Sequence, residues 1–391
     1  MADDRKITPD PKILVGIFPA VPGIPKHSYN IISNTFHTCT FRLYLDSEPK
    51  PGFPVDLLIR LEGAGSRLPA VAELQRLAQK QLPELVPATL EVGTVVDEGG
   101  RSLDYSITPF LTGATVLEDV WNSLSKANQQ TLMDSIVVAI QRLQNFPATA
   151  AVVQEILHHD SVDTTPSEHV LVGGPDAGYH NSIKELLAAL ISQKAAKLGC
   201  EVVSSGDGIA VQSSHDDGGK VQFTNPDLQD LLDSIVFCHN DLEPRNILVR
   251  ELGDEPNVTC ELAAIIDWEM AGFFPFAYEY GLKDTFLGSC NLSFSWYSLF
   301  KERASPLLAS GAGHKKLIEA LAVIGSSNSQ AIPRNVGVRF EKKWRERERV
   351  RLSPVHAQGW IRRDDAGHVP VFTKEDNEKL EVEVLKELGL L

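Results

Sequence analysis

His239, Asp241 and Asn246 fall in one short stretch, Phe237-Cys238-His239-Asn240-Asp241-Leu242-Glu243-Pro244-Arg245-Asn246-Ile247-Leu248-Val249. Asp267 follows the apolar run Ala263-Ala264-Ile265-Ile266. Phosphoryl transfer from a nucleotide needs a carboxylate to orient or deprotonate the attacking hydroxyl. It also needs an amide oxygen and a second carboxylate to hold magnesium on the phosphates. Asp241 is read as the catalytic base, Asn246 as a magnesium ligand and Asp267 as the main magnesium ligand, with His239 bracing the loop. Any one of these residues alone reads as part of a turn before a strand. The ordered set H-N-D-x-x-x-x-N followed by I-D-W carries the chemical reading.

The elements that must position these groups are two short apolar strands, Ile247 to Val249 and Ala263 to Ile266. Between them Glu251-Leu252-Gly253-Asp254-Glu255-Pro256-Asn257 is a turn signal. The pattern predicts a hairpin that carries His239, Asp241 and Asn246 at one end and returns Asp267 to that end.

His239 to Val249 and Ile265-Ile266-Asp267-Trp268-Glu269 resemble the signature of the aminoglycoside phosphotransferase and choline kinase superfamily. The run Asn-Asp-Leu-x-Pro-Arg-Asn-Ile-Leu-Val is most similar to fungal phosphotransferase-family proteins. The resemblance implies an α+β, bilobal, protein-kinase-like fold. A small N-terminal antiparallel β-sheet lobe with one helix, residues 1–112, would bind nucleotide. A larger, mainly helical lobe, residues 113–391, would hold catalysis and substrate. ATP and Mg2+ are the implied cofactors. The family's phosphate-pairing lysine maps to Arg60 on the strand Pro54 to Leu61, and arginine can clamp phosphate bidentately. Glu73, on a helix predicted over Ala70 to Gln81, is the candidate partner of Arg60. Thr108 to Gly113 matches the hinge, with Thr108 and Phe110 toward the adenine. The loop Ser33 to Thr38 takes the place over the phosphates with no glycine, although close backbone approach favours glycine. Trp268, Glu269 and Glu279 are candidates for substrate contact. The stretch after Asp267 has no A-P-E, the peptide-docking anchor of protein kinases.

The 391 residues fit two lobes or domains. A net charge of −15 argues against nucleic acid as a partner. An acidic surface suits a cationic substrate and equally serves solubility. Five scattered cysteines without C-x-x-C spacing argue against a disulfide framework or a zinc site. There is no leader-like apolar stretch and no run of transmembrane length, so a soluble cytoplasmic protein with no membrane partner is expected. Residues up to Lys26 are rich in proline and read as a surface arm. Leu85 to Val96 and Ser102 to Ile107 read as strands, and Val116 to Trp121 and Gln129 to Leu143 as helices. Pro147 to Ser234 reads as an insertion, with a helix over Ser182 to Leu198 and a mobile Ser/Asp/Gly segment over Ser204 to Gly219. His158-His159-Asp160 and His215-Asp216-Asp217 read as solvated surface, because adjacent residues do not close a metal site. Lys315 to Ile324, Arg339 to Arg351 and Asp376 to Leu388 read as helices. The expected function is a kinase for a small-molecule hydroxyl. A protein kinase, a nucleotide-binding interaction protein without turnover, and ATP-dependent activation of a carboxylate remain as alternatives. The acceptor's identity does not follow from these residues.

Overall fold

The computed structural model describes residues 6–21, 23–25, 28–35, 37–146, 171–193, 199–214, 219–253, 259–286, 291, 293–331, 339–340, 343, 349–351, 360–362 and 374–391. The chain forms two compact units. The first contains residues 6–114 and takes Ala263–Glu269 from late in the chain.

The first unit begins with helix α1 (Pro11–Ile17). Asp10 caps it by accepting the Ile13 N–H at 2.8 Å, and Pro11 supplies a fixed φ at the first turn. The helix is followed by β1 (Tyr29–Asn34), β2 (Thr38–Tyr44), β3 (Asp56–Gly63), α2 (Leu68–Gln81), β4 (Glu91–Val96) and β5 (Ser102–Pro109). The strands form an antiparallel sheet in the order β1-β2-β3-β5-β4. Side chains alternate between its faces. Phe41, Leu43, Leu57, Ile59, Leu61, Leu103 and Ile107 bury one face against Ile13, Leu14, Ile17 and Phe18. The expected surface arm is therefore a core helix. Pro11 takes the first helical position, where no N–H is needed, and Pro9 and Pro19 flank the helix, so they punctuate it without preventing it. The strand expected from Leu85 begins only at Glu91. The register Thr40↔Arg60↔Ser106 puts Arg60 on the face opposite the apolar cluster, in the middle strand of the five.

The second unit opens with β6 (Thr115–Val116), α3 (Leu117–Val120) and α4 (Lys126–Gln144). Next come β7 (Val172–Gly174), β8 (Gly178–His180), α5 (Ile183–Gln193), β9 (Cys200–Ser205), β10 (Gly208–Ser213) and β11 (Lys220–Thr224). They are followed by α6 (Asn225–Asp233), β12 (Ile235–Cys238), β13 (Ile247–Leu252), β14 (Thr259–Ile265), β15 (Gly272–Pro275), α7 (Phe276–Phe286), α8 (Phe294–Ala304) and α9 (Ala312–Ala331). The last elements are β16 (Arg349–Arg351), β17 (Trp360–Arg362) and α10 (Lys374–Glu387). β14 starts in this unit and its final residues belong to the first. No helix among the described residues is long and apolar enough to cross a membrane.

Two expectations fail here. Among its described residues, the Ser204 to Gly219 segment carries the end of β9 and all of β10, the middle strand of the sheet β11-β10-β9. Ile209, Ala210 and Val211 on β10 are buried in a row, and Val221 and Phe223 on β11 at alternate positions, which outweighs the polar composition. A tight connection at Gly206, with φ +58, joins the first two strands. The helix expected over Arg339 to Arg351 ends instead in strand β16, paired with β17, and much of the remainder lies outside the described residues.

The sheet order β12-β15-β7-β8 sets the catalytic stretch. β12 pairs with β15 through Phe237↔Phe273 and Cys238↔Gly272, so the loop that follows Cys238 leaves the sheet at a fixed point. Gly173 on β7 has φ +131, and a Cβ there would lie 1.9 Å from the Gly178 carbonyl, so only glycine fits.

Candidate active site

The loop from His239 to Asn246 is almost entirely buried and densely hydrogen-bonded. Its N-terminal end is held by α7. Glu279 accepts the His239 N–H at 3.2 Å, and Asn240 Nδ2 donates to the Met270 carbonyl at 2.9 Å. Burial pushes the Glu279 carboxyl above its ordinary range, against Lys283 and the N–H groups of His239 and Asn240, which favour its charge. Glu279 thus lies behind the loop, not in the substrate position suggested by the sequence. His239 Nδ1 accepts the Asp241 N–H at 3.2 Å, a bracing contact inside the loop.

Asn240 has φ 64, and so does Asp267. Asparagine and aspartate tolerate this left-handed region better than other non-glycine residues, at a cost of about 1–3 kcal/mol each. In the loop the turn aims the Asp241 carboxylate. Asn246 Nδ2 donates to Asp241 Oδ2 at 2.7 Å and to the Asp241 carbonyl at 2.8 Å. Arg245 Nη2 donates to both Asp241 carboxylate oxygens, at 2.5 and 2.8 Å. Asp241 therefore has a defined orientation and a cation beside it. Arg245 lies inside the motif, but its residue type alone assigns it no role. Its i,i+4 placement becomes meaningful only once the Pro244–Asn246 turn has formed.

The C-terminal end of the loop hangs from α7 and the segment before α8. Lys283 Nζ donates to the Leu242 carbonyl at 2.6 Å and to Glu243 Oε1 at 2.9 Å, and Asn291 Nδ2 donates to Glu243 Oε2 at 2.8 Å. Glu279 and Lys283 are one helical turn apart on α7, so a single helix grips both ends of the loop. The aromatic-rich composition of Phe276–Phe286 hides the helical spacing that puts the two on one face.

Arg60 belongs to a cluster within the first unit. Its Nε donates to Glu62 Oε1 at 2.7 Å, its Nη2 to Glu269 Oε2 at 2.9 Å, and its Nη1 approaches Asp267 Oδ1 at 3.5 Å. Burial works to lower the Arg60 pKa, but the carboxylates of Glu62, Glu269 and Asp267 outweigh it and raise the guanidinium above its ordinary value. The expected Arg60–Glu73 pair is absent. Glu73 on α2 is paired with Arg76 one turn along. The reason is local: Glu62 lies two residues from Arg60 on the same face of β3, which costs less ordering than reaching a helix.

Thr108 and Phe110 lie where β5 ends. The Phe110 N–H donates to the Asp56 carbonyl at 3.0 Å, and the Arg42 guanidinium covers one face of its ring at 4.0 Å. Arg42 is in turn fixed bidentately on Asp56 at 2.7 Å for both bonds, and Thr112 Oγ1 donates to Asp56 at 2.7 Å. In the glycine-free hairpin loop, Thr35 Oγ1 accepts the N–H groups of His37 and Thr38 at 3.2 and 3.0 Å, so these amides are turned inward. Phe36 lies outside the described residues, as do His158-His159-Asp160 and His215-Asp216-Asp217. Trp268 is buried, with Nε1 on the Ile265 carbonyl at 3.2 Å, and reads as packing.

The donor types suit magnesium. Asn246 spends its amide nitrogen on Asp241, which leaves its oxygen as the ligating end. In the first unit, Asp267 offers a hard carboxylate at a backbone position with φ 64. Magnesium is ordinarily held by one or two such protein oxygens together with phosphates. Among the described residues no group of three His, Cys, Asp or Glu could hold an ion by itself.

The loop, its buried carboxylate and their donors form one hydrogen-bonded cluster in the second unit. Residues 208–282 match the model of the APH family, described as the phosphotransferase enzyme family, and that span contains His239, Asp241, Asn246 and Asp267. The match is confined to that segment, which carries the motif. Solved structures similar to it include a GDP complex of a mutant aminoglycoside 2'-phosphotransferase IIIa, at 12% identity and a TM-score of 0.43, covering 96% of this chain and 95% of that one. Another is a GDP and kanamycin complex of an aminoglycoside 2"-phosphotransferase, at 13% identity and 0.44, covering 96% and 97%. A third is a microcompartment-associated aminopropanol kinase, at 14% identity and 0.40, covering 93% and 90%. No curated protein matches the chain.

Proposed function

We propose that this protein is an ATP- and magnesium-dependent phosphotransferase acting on a hydroxyl of a small molecule. The observation that carries the reading is the Asp241 carboxylate, buried and held between Asn246 and Arg245 inside the segment that matches the phosphotransferase family. Asp241 accepts the proton of the acceptor hydroxyl as that oxygen bonds to the terminal phosphorus and the bond to the leaving ADP oxygen breaks. Arg245 and Asn246 keep the Asp241 carboxylate aimed, because both donate to it. His239 and Glu279 hold the loop so that this aim survives thermal motion. Asp267 and Asn246 supply the protein oxygens for magnesium, which when bound neutralises charge building on the phosphates. Arg60 provides the phosphate clamp, and Thr108 with Phe110 the adenine contact. The chain divides functionally into a nucleotide-binding part, residues 1–112, and a part for catalysis and substrate, residues 113–391.

The test is a thermal-shift screen of ATP, ADP, GTP and AMP, each with and without magnesium. A stabilising shift for a nucleoside triphosphate that grows with magnesium is expected. No shift with any nucleotide contradicts this reading and favours an interaction protein.

A further inference from the structure

A phosphate-clamping side chain works only if something fixes its direction. In this protein that fixing comes from the arginine's own strand. We propose that Glu62 is the positioning residue of Arg60, and that Asp267 and Glu269 are partners which Arg60 exchanges for nucleotide phosphate. The inference rests on the phosphotransferase reading and adds to it a residue outside the matched segment.

The three contacts of Arg60 differ in kind. Glu62 is two residues along β3, so both side chains leave the same face from a strand hydrogen-bonded on both sides, with Thr38↔Glu62↔Asp104 next to Thr40↔Arg60↔Ser106. The contact uses Nε, on the inner side of the guanidinium, at 2.7 Å, and the Glu62 side chain is only 16% exposed. Glu269 and Asp267 meet the outer nitrogens. Glu269 is 46% exposed, and Asp267 stands off at 3.5 Å. Gripping the inner edge leaves the two-pronged outer edge directed at paired oxygens, the geometry with which arginine holds phosphate. The charges fit an exchange as well. One guanidinium faces three carboxylates, so Asp267 and Glu269 keep negative charge that a magnesium ion accompanying the phosphates would offset when Arg60 turns to them.

The contacts that raise the Arg60 guanidinium come from Glu62, Glu269 and Asp267, while Glu73 is engaged on its own helix by Arg76. An arginine held from its own strand also needs no helix movement to become aligned.

The experiment is calorimetry with ATP and ADP in magnesium on wild type, Glu62→Gln, Glu73→Gln, Arg60→Ala and the double variant Glu62→Gln/Arg60→Ala. Glu62→Gln is expected to weaken nucleotide binding by ~3- to 10-fold, the share of one partly buried charge-assisted hydrogen bond. Glu73→Gln leaves the affinity unchanged. In the Arg60→Ala background Glu62→Gln has no further effect, because the two act through one group. Titration with magnesium alone gives a second readout: Arg60→Ala binds it more tightly than wild type, as three carboxylates lose their internal cation. If wild type binds nucleotide but Glu62→Gln binds as well as wild type, or Glu73→Gln loses as much, the assignment of Glu62 is overturned while the phosphotransferase reading stands. If Glu62→Gln weakens binding equally with and without Arg60, the glutamate acts on its own and the positioning role is overturned. If wild type binds no nucleotide, both readings fall.

Discussion

Lys283→Met breaks the suspension of the catalytic loop at its most buried point. The side chains of Lys283 and Glu243 are each 1% exposed. Lys283 also donates to the Leu242 carbonyl at 2.6 Å and lies 4.9 Å over the Phe300 ring. Methionine keeps most of the volume and the contact with Phe300. It leaves Glu243 with Asn291 as its remaining side-chain donor and takes the lysine donor from the Leu242 carbonyl. Removing one partner of a buried pair costs about 3–5 kcal/mol. The carbonyl's share, about 1–3 kcal/mol, overlaps with that cost and is not added to it. Against a typical total of about 5–15 kcal/mol, the loss is a large part of the second unit's stability. Urea unfolding followed by tryptophan fluorescence reads it, since Trp121 and Trp296 are buried in this unit. The double variant Lys283→Met/Glu243→Gln removes both charges and should recover at least ~2 kcal/mol of the loss. A single-variant loss below ~1 kcal/mol, or a double variant no more stable than the single, would refute the argument that this pair suspends the loop.

Two further outcomes follow from the same physics. His314 on α9 is buried, with Nε2 on Ser234 Oγ at 3.2 Å, and burial pulls its pKa below 6.5 despite Asp230 nearby. The unfolded chain therefore takes up this proton first, so stability is intact above the unfolded value and is lost as pH falls toward the folded one. His314→Gln should flatten the stability curve between about pH 7.5 and about pH 5.5, where one such group contributes at most ~1.4 kcal/mol per pH unit; parallel curves for the two proteins would remove His314 as the cause. Arg60→Lys should bind nucleotide with an affinity between wild type and Arg60→Ala, keeping the charge and losing the fork. An affinity equal to Arg60→Ala would mean that geometry, not charge, carries the contact.

The parts of the protein visible in the sequence are those where one residue type is forced. The loop from His239 to Asn246 was readable as a unit because its polar residues cluster just before the apolar run Ile247 to Val249. β2, β3 and β5 were readable because one face alternates cleanly, as Leu57, Ile59 and Leu61 do. α2 was readable from its 3.6-residue period. Helix α1 was hidden by the prolines around it, although Asp10-Pro11 is a good helix start. Sheet β9–β11 was hidden by serine, glycine and aspartate at its turns and on its exposed positions. Polar partners were the least visible. Glu62, Arg245 and Lys283 are each two to four residues from another residue of interest, or one helical turn from it. Such neighbours become partners only once the strand face or helix face is known. The sequence pointed to Glu73 for Arg60 by analogy of position, and the nearer carboxylate on the same strand won.

The measurement closest to the central claim compares Asp241→Asn with Asp267→Asn in two assays, calorimetric binding of ATP with magnesium and single-turnover hydrolysis of ATP to water. Asp241 is assigned to the acceptor and Asp267 to the metal, so their losses should differ. Asp241→Asn is predicted to bind magnesium-ATP nearly as wild type does while hydrolysis falls by ~10²–10⁴-fold, the usual share of a general base. Asp267→Asn is predicted to lose both, because it removes a hard ligand from a metal held by few protein oxygens. An Asp241→Asn protein that hydrolyses ATP at the wild-type rate, or an Asp267→Asn protein that binds magnesium-ATP undiminished, would contradict the account.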